Sequence, residues 1–126
     1  MALAAPQHTL VRYWLPVLAY VAMIFTLSAQ PHLQVPFHFQ NADKVVHMSE
    51  YCGLGLLVVR ALGTLPRLRS AAAAGLVAIT IGVGIGSADE LFQSTVPGRD
   101  SDVFDLIADS IGVTVAQIVY VWVKRP

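Results

Sequence analysis

Asp102, Asp105 and Asp109 recur at i, i+3 and i+7, the spacing that sets carboxylates on one face of a helix. Lys44, His47 and Tyr51 repeat the same spacing, with Glu50 three residues after His47, so an amine, an imidazole, a carboxylate and a phenol share a second helical stripe. Asp89, Glu90 and Gln93 form a third polar group, followed by Thr95, Pro97, Gly98 and Arg99. Paired acids in a partly dry pocket separate their proton affinities, so one can hold a proton while another is ionised, as general acid and base catalysis requires. His47 is the natural proton carrier near neutral pH. On this reading His47, Asp89, Glu90, Asp105 and Asp109 are the candidate catalytic groups, while Lys44, Tyr51, Gln93 and Arg99 are the candidate ligand contacts. Arg99 brings a planar fork suited to phosphate or carboxylate.

The same residues admit other roles. Asp102 and Asp105 at a helix start are favoured by the macrodipole, by about 0.3–1 kcal/mol each, so capping accounts for them without chemistry. Asp109 is different, because at 1.5 Å per residue it lies about 10 Å beyond Asp102, inside an apolar run where a charge must face protein, water or a partner. His47 with Glu50, Asp89, Glu90, Asp105 and Asp109 offers one nitrogen and several oxygens, a set for a hard or borderline divalent metal, although the spacing matches no compact metal motif. The groups could equally bind a ligand without transforming it, stabilise a membrane partner, or pair off inside the bundle. His32 and His38, among prolines and phenylalanines, read as surface or interfacial residues. Ser49, Ser87, Ser94 and Ser101 carry no nucleophile signature, and no phosphate-binding glycine loop, paired-cysteine motif or basic nucleic-acid patch is present.

The elements that must position these groups are membrane helices. The chain has 126 residues, 56% of them apolar and only 13% charged, and a mean hydropathy of +0.63, well away from a soluble domain. A bilayer core about 30 Å thick takes roughly 20 apolar helical residues. Residues 10–29, 45–62, 71–92 and 103–123 supply four such runs, and the expectation is a single all-α transmembrane domain over residues 1–126, a four-helix bundle with no separate soluble part. Four short helices leave little room for alternating access. The first run reads as a retained helix rather than a signal peptide: it is longer than a signal core, and Leu27 stands where cleavage after Ala29 would want a small residue. Cys52 is the only cysteine, placed inside an apolar run where packing is its default role.

Basic residues in short loops are retained in the cytoplasm. Arg12, Arg60, Arg67, Arg69, Lys124 and Arg125 fall on one side, leaving Lys44 and Arg99 on the other, so both termini are expected to be cytoplasmic. All eight acids fall on or near the outer side, and formal neutrality conceals a strongly dipolar molecule. Ala78, Gly82 and Gly86 repeat every four residues in the third run, a small-residue face for close helix packing.

The ordered set Ser28-Ala29-Gln30-Pro31, Asp43-Lys44 with His47 and Tyr51, Asp89-Glu90 with Gln93, and Pro97-Gly98-Arg99 followed by Asp105, Asp109 and Gly112 resembles the VanZ-like membrane proteins over nearly the whole chain. Ala116 stands where the family often has glycine, and Asp109 where many members have asparagine. The resemblance implies a multi-pass protein of the bacterial plasma or inner membrane, in contact with lipids and acting at the cell envelope. Its namesake is associated with low-level teicoplanin resistance, while many similar proteins have no assigned reaction. A lipid-linked ligand or cell-wall precursor is the expected partner, with no nucleic acid; a divalent metal and the oligomeric state stay open.

The topology is testable by cysteine labelling in a background without Cys52. Cysteines at positions 34 and 95 should react with an impermeant thiol reagent in intact cells and one at position 64 should not; labelling at position 64 would overturn the charge argument.

Overall fold

The computed structural model describes residues 6–124, all of its regular structure helical. Four helices have the length and apolarity to cross a membrane: Gln7–Ser28, Ala42–Leu62, Ala71–Gln93 and Val103–Lys124. They are called α1 to α4 here, α1 being taken from residue 6. The chain is a membrane protein by this measure. Arg125, counted with the basic side above, lies outside the described residues.

Local chemistry explains the helix limits. Pro16 lacks an N–H and its ring crowds the carbonyl four residues back. Just before it the helix widens into a π-helical turn, Leu10–Trp14, and the Leu15 N–H reaches back to the Leu10 carbonyl. Arg12 therefore sits within this turn of the helix. α2 begins at Ala42, earlier than expected, because Asn41 adopts the left-handed conformation (φ 61°) that turns the chain into the helix; Asp43 and Lys44 thus belong to its first turn. The Ser70 hydroxyl caps α3 by accepting from the Ala73 N–H, and the Asp102 carboxylate accepts from the Phe104 N–H at 2.8 Å at the head of α4. A short 3₁₀ turn, Pro66–Leu68, lies between α2 and α3.

α2 and α4 make the most extensive contact and α3 packs on both, while α1 lies against α2 and α3. Small residues permit this. A Cβ on Gly112 would run into the Met48 carbonyl, one on Gly55 would meet Ala116, and one on Gly82 would meet Val113. Tyr20 pins α1 to α2 by donating to the Glu50 carbonyl at 2.8 Å. α4 is polar inside and apolar outside: Asp105, Asp109, Gly112 and Gln117 are buried, whereas Phe104, Ile107, Ile111, Ile118 and Trp122 are exposed. That inversion suits a helix whose surroundings are hydrocarbon.

The basic residues gather at the opposite end from the acids. Arg60 and Arg12 both lie over the Tyr13 ring, at 5.0 and 5.7 Å, and Arg69 and Lys124 face one shallow pocket with Tyr120.

Gly112→Ala should force α2 and α4 apart and lower thermal stability in detergent by about 1–3 kcal/mol, the usual range for overpacking. Gly84→Ala, with open space around it, should be neutral or slightly stabilising; equal melting of the two variants would refute the close-approach account.

Candidate functional site

At the acidic end the first turns of α2 and α4 are joined through one amine. Lys44 Nζ donates to Asp43 Oδ2 at 2.7 Å, to Asp102 Oδ2 at 2.8 Å and to Asp105 Oδ1 at 2.5 Å. Asp102 thus caps its helix and binds Lys44 together, and the Lys44 hydrogen bond holds its carboxyl below the usual carboxylate range. Asp105 serves Lys44 rather than the helix start.

One turn further along α2, His47 stands between two carboxylates. Its Nδ1 is 2.9 Å from Asp109 Oδ1, and its Nε2 is 3.6 Å from Asp105 Oδ2. Lys44, Asp105, His47 and Asp109 therefore form a continuous chain of polar contacts from the half-exposed bundle end to Asp109, which is fully buried. A proton could move along such a chain through the two imidazole nitrogens.

A second network lines the α1–α3 side. Tyr51 is fully buried and its hydroxyl lies 3.4 Å from Asp89 Oδ2. Gln93 Nε2 donates to the same oxygen at 3.3 Å and to Ser28 Oγ at 3.2 Å. Glu90 Oε2 accepts from the Asp102 N–H at 3.0 Å and the Ser101 hydroxyl at 3.2 Å. Asp89 Oδ1, Glu90 Oε1 and Asp109 Oδ2 are buried without a hydrogen-bond partner.

These networks border a cavity of about 270 Å³, lined among others by Ser28, His32, His47, Glu50, Gln93 and Arg99. Arg99 is half-buried, faces this space, and has no carboxylate within ion-pairing distance among the described residues. Of the two outer cations, Lys44 is consumed by aspartates and Arg99 is not. Gly98, with φ +82°, lets the α3–α4 connector lie directly against the His32 ring of the α1–α2 connector.

Of the candidate catalytic residues, His47, Asp105 and Asp109 form one connected group, Glu90 approaches it from α3, and Asp89 belongs to the Tyr51–Gln93 network. Among the candidate ligand contacts, Arg99 and Gln93 reach the cavity, Lys44 is held by its aspartates, and Tyr51 is not among the residues that line it. The broad metal set narrows: among the described residues, His47, Glu90 and Asp109 place ligand atoms within 4.8 Å of one another, and Glu50, Asp89 and Asp105 stand outside that group. Sequence reasoning gave Ser28 and His32 no part in the site. Ser28 ends an apolar helix, a position that pattern alone does not mark as inward-facing. His38 is exposed.

Among comparisons with known proteins, a family model described as VanZ/LLP1 matches residues 5–124. No curated protein and no solved structure matches the chain.

Lys44→Ala leaves Asp105, only 7% exposed, without its amine and should cost roughly 2–3 kcal/mol at pH 7. A lowered carboxyl pKa, as at Asp102, stabilises above the unfolded value near 4 and ceases to do so as the pH falls through the folded value. The melting gap between Lys44→Ala and the parent should therefore hold from pH 7 down to about 4 and close below it; a gap that stays constant down to about pH 2 would exclude the pairing.

Proposed function

The chain belongs to the VanZ/LLP1 family, and on that footing we propose that it binds the anionic head of a lipid-linked or other cell-envelope molecule in the cavity at its acidic end. The observation that carries this reading is Arg99, a cation that faces a cavity with Asp43, Glu50, Asp100 and Asp105 yet lies within ion-pairing distance of no carboxylate among the described residues, in an end of the bundle where acids outnumber bases. An arginine that merely balanced charge would lie against one of those acids. A guanidinium left open presents its fork to phosphate or carboxylate. Leu27, Leu33 and Val35 supply an apolar wall beside it, suited to the first carbons of a lipid chain.

In this reading the acidic end faces outward and both termini are cytoplasmic, in a bacterial plasma or inner membrane. The Lys44–Asp105–His47–Asp109 chain gives the bound head group a route for proton transfer, with His47 as the cavity-facing donor or acceptor. Asp89, Tyr51 and Gln93 hold the wall in place. Binding is the primary activity in this reading, because Tyr51 and Asp89 are engaged with each other and with Gln93 in the wall. A cell-wall precursor carried on a lipid has the required chemistry, and through such a ligand a role in glycopeptide resistance would run.

Gentle extraction followed by native mass spectrometry should find a co-purifying anionic lipid. Arg99→Lys should insert and fold normally yet lose at least tenfold in retained ligand, and Arg99→Ala should lose little more. Full retention in Arg99→Lys, with a melting temperature that falls only in Arg99→Ala, would assign Arg99 to charge balance and reject the reading.

A further inference from the structure

His47 of α2, Glu90 of α3 and Asp109 of α4 bring one imidazole and two carboxylates together, with ligand atoms within 4.8 Å of one another. The carboxylates are 6% and 0% exposed. Each uses one oxygen and leaves the other idle: Asp109 Oδ1 contacts His47, and Glu90 Oε2 accepts from Asp102 and Ser101, while Asp109 Oδ2 and Glu90 Oε1 are buried with no partner. A buried acceptor without a donor is costly, and a buried charge without a counter-charge more so. Among the described residues no lysine or arginine reaches these two oxygens, the Lys44 amine being occupied by Asp43, Asp102 and Asp105.

We propose that His47, Glu90 and Asp109 form a binding site for a divalent metal ion, reached from the cavity that His47 lines. The donor set, one nitrogen and two carboxylate oxygens, favours a borderline ion of the zinc, cobalt or manganese kind over a soft one. The 2.9 Å contact between His47 Nδ1 and Asp109 Oδ1 keeps the imidazole beside the carboxylate whose other oxygen is unpartnered. The Asp102 N–H and the Ser101 hydroxyl hold the Glu90 carboxylate, as outer groups orient metal ligands. Gly86 keeps the space beside the idle oxygen clear: a Cβ there would lie 3.2 Å from Asp109 Oδ2. Three protein ligands leave further coordination positions for water or for an oxygen of an anionic head group. The site goes beyond the anion-binding reading and does not require it.

The test uses full-length protein in mild detergent, stripped with chelator and titrated with Co²⁺ in the absence of any added lipid. The expected result is saturable binding of about one equivalent, with a visible absorption band and a raised melting temperature. His47→Gln, Glu90→Gln and Asp109→Asn should each weaken it at least tenfold, whereas Asp43→Asn and Arg99→Lys should not. Because Arg99→Lys lowers anion retention at least tenfold on the earlier reading yet leaves Co²⁺ affinity intact on this one, the two ideas fail separately. In chelator, Glu90→Gln and Asp109→Asn should melt no lower than the stripped parent, since each removes a buried charge. If either does unfold, pulsed electron paramagnetic resonance of Mn²⁺ bound to the parent protein decides instead, an imidazole nitrogen coupling supporting the site. No saturable Co²⁺ binding by the parent, unchanged affinity in all three ligand variants, or Mn²⁺ without nitrogen coupling would overturn it.

Discussion

The shared ammonium of Lys44 is the constraint on which the acidic end of the bundle rests. Asp43, Asp102 and Asp105 come from two helix starts, and without a common cation their repulsion would oppose the approach of α2 and α4. With it, the helices come close enough for Gly112 to touch the Met48 backbone. Electrostatics and the missing side chain thus act on the same pair of helices. The positions of His47 and Asp109 follow from that register: each lies about one helical turn beyond its neighbour in the Lys44 group, and so they face each other deeper in the bundle.

The burial pattern is that of a protein adapted to hydrocarbon. Large apolar side chains on α1 and α4 point outward, while Asp89, Glu90, Gln93, Asp105, Asp109 and Gln117 are enclosed. Polar groups inside such a bundle have no water to fall back on, so their mutual contacts decide both its stability and its chemistry.

Much of this was legible in the residues. Apolar runs located four helices, with limits that differ where backbone conformation intervenes, at Asn41 and at the π turn before Pro16. The i, i+3, i+7 spacings correctly set Asp105 and Asp109, and Lys44 and His47, on facing stripes. Periodicity says which face a residue occupies but not its depth or its partner across the interface. That is why Asp102 both caps its helix and pairs with Lys44 while Asp105 pairs with Lys44 and His47, and why the broad set of metal ligands contracts to His47, Glu90 and Asp109. Whether Arg99 would neutralise an acid or stand open is likewise a matter of three-dimensional distance. Ser28 and His32 enter the site only because α1 and its connector fold across it.

The contact between Gly98 and His32 gives the cavity a roof unlike its floor. Below, helices are fastened by ion pairs and hydrogen bonds. Above, two connectors from different helix pairs meet through dispersion forces, each atom pair contributing only about 0.1–0.2 kcal/mol. The enclosure therefore has a seam: among the described residues no ion pair or hydrogen bond joins the two connectors where Gly98 meets the His32 ring, whereas the helices beneath are tied by charge.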